Sequence, residues 1–393
     1  MEIETISKLI GSLGKQAWIT VDYENKNKAL CQLVGDKMLT RKIIAVFYPD
    51  RRPALIAHSI DCGLLKDGII DKRFDILEYK TWQQMLEEER KALQGVSSVL
   101  MDYSENGLLM RVASADAGSV EFVKSLGIKV ESSGDLLQSM TAVLTPRQYE
   151  EELKACELTL MIKDEAFAFI KRQIEEEGQT SELEVQRFIA KRFVEEGMTY
   201  DDAPLVANGS NAANPHYSPD EQHNAILKEG DLVLIDMWAK LNDEDGVYAD
   251  ITWMGYIGKE VPEVYARRFE IVKAARKGVI EFLQKEIPNR DVYAYEADDV
   301  ARKIISDAGY GEYFLHRVGH NIAVDVSPHG PGANLDNYET HDDRKLLEGT
   351  SFSDEPGIYA PDFGMRSETN IHIKDNQAIV VAGGQEEIIP IMK

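Results

Sequence analysis

Apolar positions along the chain follow two rhythms, and the change between them divides it. In the first third, short runs rich in β-branched and aromatic residues predict strands: "AWITVDY", "KIIAVFYPD", "RPALIAHS", "SSVLMDYS" and "IKVES". "ISKLIGSLGK" and "SADAGSVEFVKSLG" carry the wider spacing of amphipathic helices. The alternation predicts an α/β domain over residues 1–144. The rhythm lengthens at "LTPRQYEEELK". Thr145, Pro146 and Gln148 form a helix start, with a capping Thr, Pro at the first helical position and Gln at the third. They predict a long helix to Glu177, and Ser181 with Glu184 predicts a second capping box. Two further helices are expected over 262–286 and 292–308, and β signals fill 228–258 and 315–390. Residues 145–393 therefore read as an α+β domain, with helices flanking a bent antiparallel sheet.

Within that sheet, "DLVLIDMWAKL" and "GVYADITWMGYIG" are apolar runs joined by the polar turn "NDEDG". A hairpin closing at Asp243 places Asp236 directly opposite Asp250. Facing carboxylates repel, more so when half buried. Two readings stand: a cation lies between them, or one Asp faces solvent at a strand edge. Asp243, Glu244 and Asp245 sit at the tip and read as solvated. "GTSFSDEPGIYAPDFGMRSETNIHI" repeats the construction around Pro361-Asp362, and its centre sets Glu355 opposite Glu368. Strand alternation turns Asp354 to the other face.

Histidines change the picture. Seven of eight follow residue 210, and His316, His320 and His329 cluster in "HRVGHNIAVDVSPHGPG". Gly319 permits close backbone approach there. Two Asp and two Glu balance the charge of two divalent ions, and one neutral imidazole completes a ligand set. Such carboxylate-rich coordination suits Mn²⁺, Co²⁺ or Fe²⁺ as well as Zn²⁺, and paired metals form a known hydrolytic device.

Composition narrows the partners. Of 393 residues, 68 are acidic and 44 basic, a net charge of −24, which argues against nucleic-acid or anionic-membrane surfaces. Three scattered cysteines, Cys31, Cys62 and Cys156, fit neither a disulfide framework nor a zinc site. No secretory signal or membrane span is expected, which leaves a cytoplasmic reading.

Asp236, Asp250, His320 in "VGHNI", Glu355 in "DEPGIY" and Glu368 in "MRSET" together resemble the metal ligands of the pita-bread metallopeptidases. The resemblance spans the chain and adds a creatinase-type N-terminal domain. It implies the branch of Xaa-Pro dipeptidase, aminopeptidase P and creatinase. It further implies two divalent ions, with manganese foremost, a metal-bridged hydroxide as nucleophile, and a homodimer acting on small peptides. Creatinase-like C–N hydrolysis or a lyase reaction on a small molecule, and a metal-free binding protein, are the other readings. By the same resemblance His216, His316 and His329 hold substrate, Glu355 shuttles a proton and Arg366 orients the site. The chain departs from the family pattern in four ways. Trp238 stands where Asp-x-Gly is usual, and Trp253 where Arg is usual. The spacings from Asp236 to Asp250 and from His320 to His329 are both longer than usual. Trp238 and Trp253 read as packing residues. Arg344 reads as a surface ion pair, with a substrate carboxylate as the other reading. His223, His341 and His372 read as surface or strand residues.

Overall fold

The computed structural model describes residues 3–35 and 37–393. Contacts divide the chain into two compact units, Met1–Met140 and Thr141–Lys393.

The first unit is a six-stranded mixed sheet. Its strand order is Asp75–Tyr79, Ala54–His58, Ile43–Phe47, Trp18–Asp22, Ser98–Met101 and Lys129–Ser132. Its central strands Ile43–Phe47 and Trp18–Asp22 are buried throughout because both faces are covered. Ile43, Ala45 and Phe47 point into one core, and Ile44 and Val46 into the other. The edge strand Asp75–Tyr79 and the helix Trp82–Ala92 carry weaker sequence signals. The strand is half exposed, and the helix buries only Glu89 and Ala92.

In the second unit, the helix Pro146–Glu177 starts as the sequence predicts, with Thr145 and Gln148 capping each other's backbone N–H groups, and stops at Gly178 in the left-handed region. The next helix, Glu182–Glu195, departs from expectation. Ser181 accepts from the Glu184 N–H, but the Glu184 carboxylate turns to the Thr180 and Ser181 hydroxyls instead of the cap N–H. Glu263–Glu286 and Ala294–Asp307 are the remaining long helices. The Leu232–Leu241 strand pairs antiparallel with Ala249–Tyr256 and with Leu205–Asn208. Asn321–Ile322, Ser351–Asp354, Thr369–Lys374 and Gln377–Val380 form a four-stranded sheet. Gly357–Ala360 and Phe363–Arg366 form a separate two-stranded ribbon.

Alternation along Leu232–Leu241 positions the site. Val233, Ile235, Met237 and Ala239 pack with Ile162, Ile170 and Ile189 of the first two helices. The even positions face the other way. Leu232 and Leu234 join the core formed with the Glu263–Glu286 helix, and the next two, Asp236 and Trp238, line a cleft. One strand face thus changes from apolar to polar midway, where the core ends and the cleft begins.

Candidate active site

The acidic hairpin closes one residue later than its sequence midpoint. Asp236 lies opposite Thr252, and Asp250 lies opposite Trp238. The two aspartates are therefore diagonal neighbours, which corrects the directly facing pair. They keep a common face because the side-chain period is two. The shift follows from the loop. Val247 and Tyr248 leave the ladder to enter a small core with Ile322 and Ala323, while Lys240 and Leu241 pair with Met198–Thr199. Asp243 and Asp245 at the tip bind Arg147, at 3.0 and 3.1 Å.

The second acidic pair keeps its expected register. Asp354 pairs with Thr369 and Gly357 with Arg366, so Glu355 and Glu368 face each other in the gap between two ladders. Asp354 is fully buried and does not line the cleft. His320 enters from just before the strand Asn321–Ile322, its backbone N–H donating to the Ser353 hydroxyl at 2.9 Å. Gly319 makes this approach possible, since a Cβ there would meet the Ser353 carbonyl at 2.0 Å.

Asp250, His320 and Glu368 each present a donor atom, all within 4.8 Å of one another and buried. His320 Nδ1 lies 3.2 Å from the Asn321 carbonyl, which assigns the proton to Nδ1 and turns Nε2 to the acids. Nε2 is 3.4 Å from Asp250 Oδ2 and 3.5 Å from Glu355 Oε1. The Thr252 hydroxyl links the remaining ligand candidate, lying 3.0 Å from Asp236 Oδ1 and 2.8 Å from Glu368 Oε2. Arg366 pairs with Asp236.

Burial pushes all four carboxyls above their ordinary range, and their mutual repulsion adds to it for Asp236, Glu355 and Glu368. Asp236 rises to about 6 and Asp250 to about 7. One arginine cannot neutralise four buried acids. A set of converging oxygen acceptors and one imidazole nitrogen, short of positive charge, fits divalent cations.

The family model for metallopeptidase family M24 matches residues 151–375. The chain belongs to that family. The matched segment contains all five ligand candidates. The Xaa-Pro dipeptidase of Lactobacillus delbrueckii subsp. lactis is 30% identical over 332 residues, covering 82% of this chain and 80% of the relative. The crystal structure of dipeptidase PepE from Mycobacterium ulcerans superposes with a TM-score of 0.66 at 21% identity, over 99% of this chain and 96% of the other. The N-terminal domain of the FACT complex subunit SPT16 from chickpea (Cicer arietinum) matches with a TM-score of 0.60 at 13% identity, over 97% and 96%. These likenesses show the pita-bread fold.

The cleft of this M24 peptidase, about 480 Å³, is lined by all five ligand candidates and by His216, His316, His329 and Arg366. His216 and His329 are exposed, and the His329 ring lies 4.1 Å from that of His320. His316 is held at both nitrogens, with Nδ1 2.6 Å from the Arg317 carbonyl and Nε2 2.7 Å from the Tyr359 hydroxyl. Burial, with Arg366 nearby, lowers its pKa to about 3, so the imidazole is neutral.

Of the two tryptophans expected to pack, Trp253 does so and Trp238 takes a second role. Trp238 is a wall of the cleft rather than packing alone, and its indole N–H donates to Asp201 at 2.7 Å. Trp253 is on the opposite face, against the helical core, with Lys163 over its ring at 3.8 Å. Arg344 is not a surface pair. It is buried on Asp342 at 2.6 Å and donates to the Gly332 carbonyl, outside the cleft. His223 and His341 are exposed or partly so, whereas His372 is a buried strand residue.

Sequence reading missed Tyr359, Thr252, Asn370 and Asp201. Tyr359 had a signal in "EPGIY": a Cβ on Gly357 would lie 2.5 Å from the Tyr359 hydroxyl, so the glycine makes room for that ring. Asp201 is remote in sequence, and nothing marked it.

Proposed function

We propose that this M24 peptidase is a dinuclear enzyme that cleaves the bond between an N-terminal residue and proline. The carrying observation is the buried donor cluster of Asp250, His320 and Glu368, bordered by Glu355 and Asp236 in one open cleft. The similarity to a curated Xaa-Pro dipeptidase over most of both chains supports the substrate class. Asp236, Asp250, His320, Glu355 and Glu368 would hold two divalent ions, with Mn²⁺ preferred for the carboxylate-rich set. Bound there, the ions supply Lewis acidity and a water acidified enough to attack a carbonyl at neutral pH.

The chain's own groups do the rest. Glu355 is the least enclosed of the four acids, with its side chain 16% exposed, and it borders the cleft. It takes the proton from the attacking water and delivers it to the proline nitrogen as that nitrogen leaves. Arg366 fixes Asp236 on one side and donates to the Tyr359 hydroxyl at 2.9 Å on the other. Tyr359 in turn donates to His316 Nε2 and fixes that ring's tautomer. His216 and His329, on the open side, orient the substrate.

No helix among the described residues is long and apolar enough to cross a membrane. We read the protein as cytoplasmic, which its few, scattered cysteines support, and as a homodimer by family analogy. The deciding experiment is a hydrolysis panel with Mn²⁺ added: Xaa-Pro dipeptides, Xaa-Pro-Yaa tripeptides and creatine. Turnover of proline peptides is expected. Turnover of none of them rejects the reading.

A further inference from the structure

The charged groups of the cleft find partners, with two exceptions. Asp236 is held by Arg366, and Arg317 by Glu339 at 2.9 Å. Asp250 and Glu368 belong to the donor cluster, and Glu355 lies 3.5 Å from His320 Nε2. Asp201 and Asp202 remain, and neither forms an ion pair among the described residues. Asp201 is exposed, yet its carboxylate is fixed in orientation, because Oδ1 accepts the Trp238 indole N–H at 2.7 Å. Trp238 stands directly across the hairpin from Asp250 and shares the face of Asp236. Lys240, next along that face, is turned away to the Asp325 carbonyl at 2.8 Å.

An aromatic wall beside an oriented carboxylate recognises ammonium and guanidinium groups. The α-ammonium of a peptide is one carbon from its scissile carbonyl, so in the proposed mode it stays beside the ligand candidates. Asp201 is held at the N–H end of the indole, and although its charge still reaches Asp250, the cation it fits is a second one. We propose that Trp238 and Asp201 form a subsite for a cationic side chain on the residue N-terminal to the scissile bond. The preferred substrates are then peptides beginning Lys-Pro or Arg-Pro. This inference rests on the peptidase reading and deepens it.

Lysine and norleucine have side chains of equal carbon count and differ by the ammonium group, so they isolate the effect. The full-length Mn²⁺-loaded enzyme is assayed on lysyl-proline and norleucyl-proline. Wild type is expected to favour the lysyl peptide about tenfold in kcat/KM, and Asp201→Asn to bring the ratio close to one. Asp202→Asn, lacking the indole contact, keeps most of the ratio. Equal rates in wild type, or a preference that survives Asp201→Asn, overturns the subsite. Calorimetric binding of lysinamide against norleucinamide makes the test independent of turnover. If no proline peptide is cleaved, tighter lysinamide binding that depends on Asp201 still supports the subsite, and equal binding of the two amides overturns it.

Discussion

The side-chain amide of Asn370 grips the backbone of Asp250 at two points. Its Oδ1 accepts from the Asp250 N–H at 3.0 Å, and its Nδ2 donates to the Asp250 carbonyl at 2.9 Å. The strands Ala249–Tyr256 and Thr369–Lys374 share no ladder, so this clamp, with the Glu368 N–H donating to the Thr252 carbonyl at 3.2 Å, sets one candidate ligand pair against the other. Asn370→Ala is expected to weaken Mn²⁺ binding about tenfold or more, read by calorimetric titration. Unchanged affinity in a folded variant would remove the clamp's role.

Asp250→Ala and Asp245→Ala separate the ends of the hairpin from its tip. Asp250→Ala is expected to lower activity about a thousandfold or more and to cut bound metal. Asp245→Ala breaks a half-exposed pair with Arg147 and is expected to stay within about 0.5 kcal/mol of wild-type stability, with activity near wild type. Metal content and turnover of the two proteins decide it, and equal losses would reject the distinction.

Tyr359→Phe removes the hydroxyl between Arg366 and His316 without altering the ring. Two hydrogen bonds disappear. The expected result is a loss of about tenfold in kcat, a smaller change in KM and a stability cost of about 1 kcal/mol. A drop confined to KM would place Tyr359 in substrate binding instead of positioning.

Glu152 makes stability fall with pH. It is fully buried, and burial raises its pKa to about 8. The Ser351 hydroxyl is 2.8 Å from Glu152 Oε2 and 2.7 Å from His372 Nδ1. One hydroxyl proton cannot serve both, and a proton on Glu152 completes the chain. His372, lowered to about 4 chiefly by burial, is neutral above that pH. Because the folded pKa lies above the unfolded one, the stabilisation is full below the ordinary carboxylate pKa of about 4.5 and is lost as pH rises to 8. Glu152→Gln is expected to flatten this slope, so Tm measured from pH 5 to 9 falls less than in wild type.

Chelation tests the ligand set as a whole. The raised carboxyls cost the metal-free protein stability as pH climbs from the ordinary carboxylate range through about 6 for Asp236 and about 7 for Asp250. Bound ions offset that repulsion, adding about 2.7 kcal/mol at a hundredfold excess over Kd. Removing metal is expected to lower Tm by about 5 °C or more at pH 8 and by less at pH 5. A fall independent of pH would mean that these acids are not the ligands.

Local patterns were legible where local physics decides structure. The Thr145 cap, the long helices and the apolar strands follow from propensity and period. The second acidic pair was also legible, because the turn centred on Pro361-Asp362 is short and symmetrical. The first pair slipped because Val247 and Tyr248 are buried by Ile322 and Ala323, residues far away in sequence. Trp238 was read only in part for a similar reason, since it packs as expected but also lines the cleft. Its neighbours suggest core, but its face of the strand changes character at Asp236, and Asp201 comes from a separate segment. Arg344 looked like a surface residue because a nearby acid, Asp342, suggests an exposed pair, and the loop carbonyls that complete its buried site leave no mark in the sequence.

Asp236 and Asp250 share one antiparallel hairpin, Glu355 and Glu368 face each other across a second construction, His320 comes from the segment between them, and Glu368 reaches its place only when the Thr369–Lys374 strand docks. A growing chain therefore has no complete metal cradle until nearly all of the second unit has been synthesised and closed. Metal uptake would then report on complete folding, and a chain truncated before Ser351 would carry the acidic hairpin yet lack the partners that give it an ion.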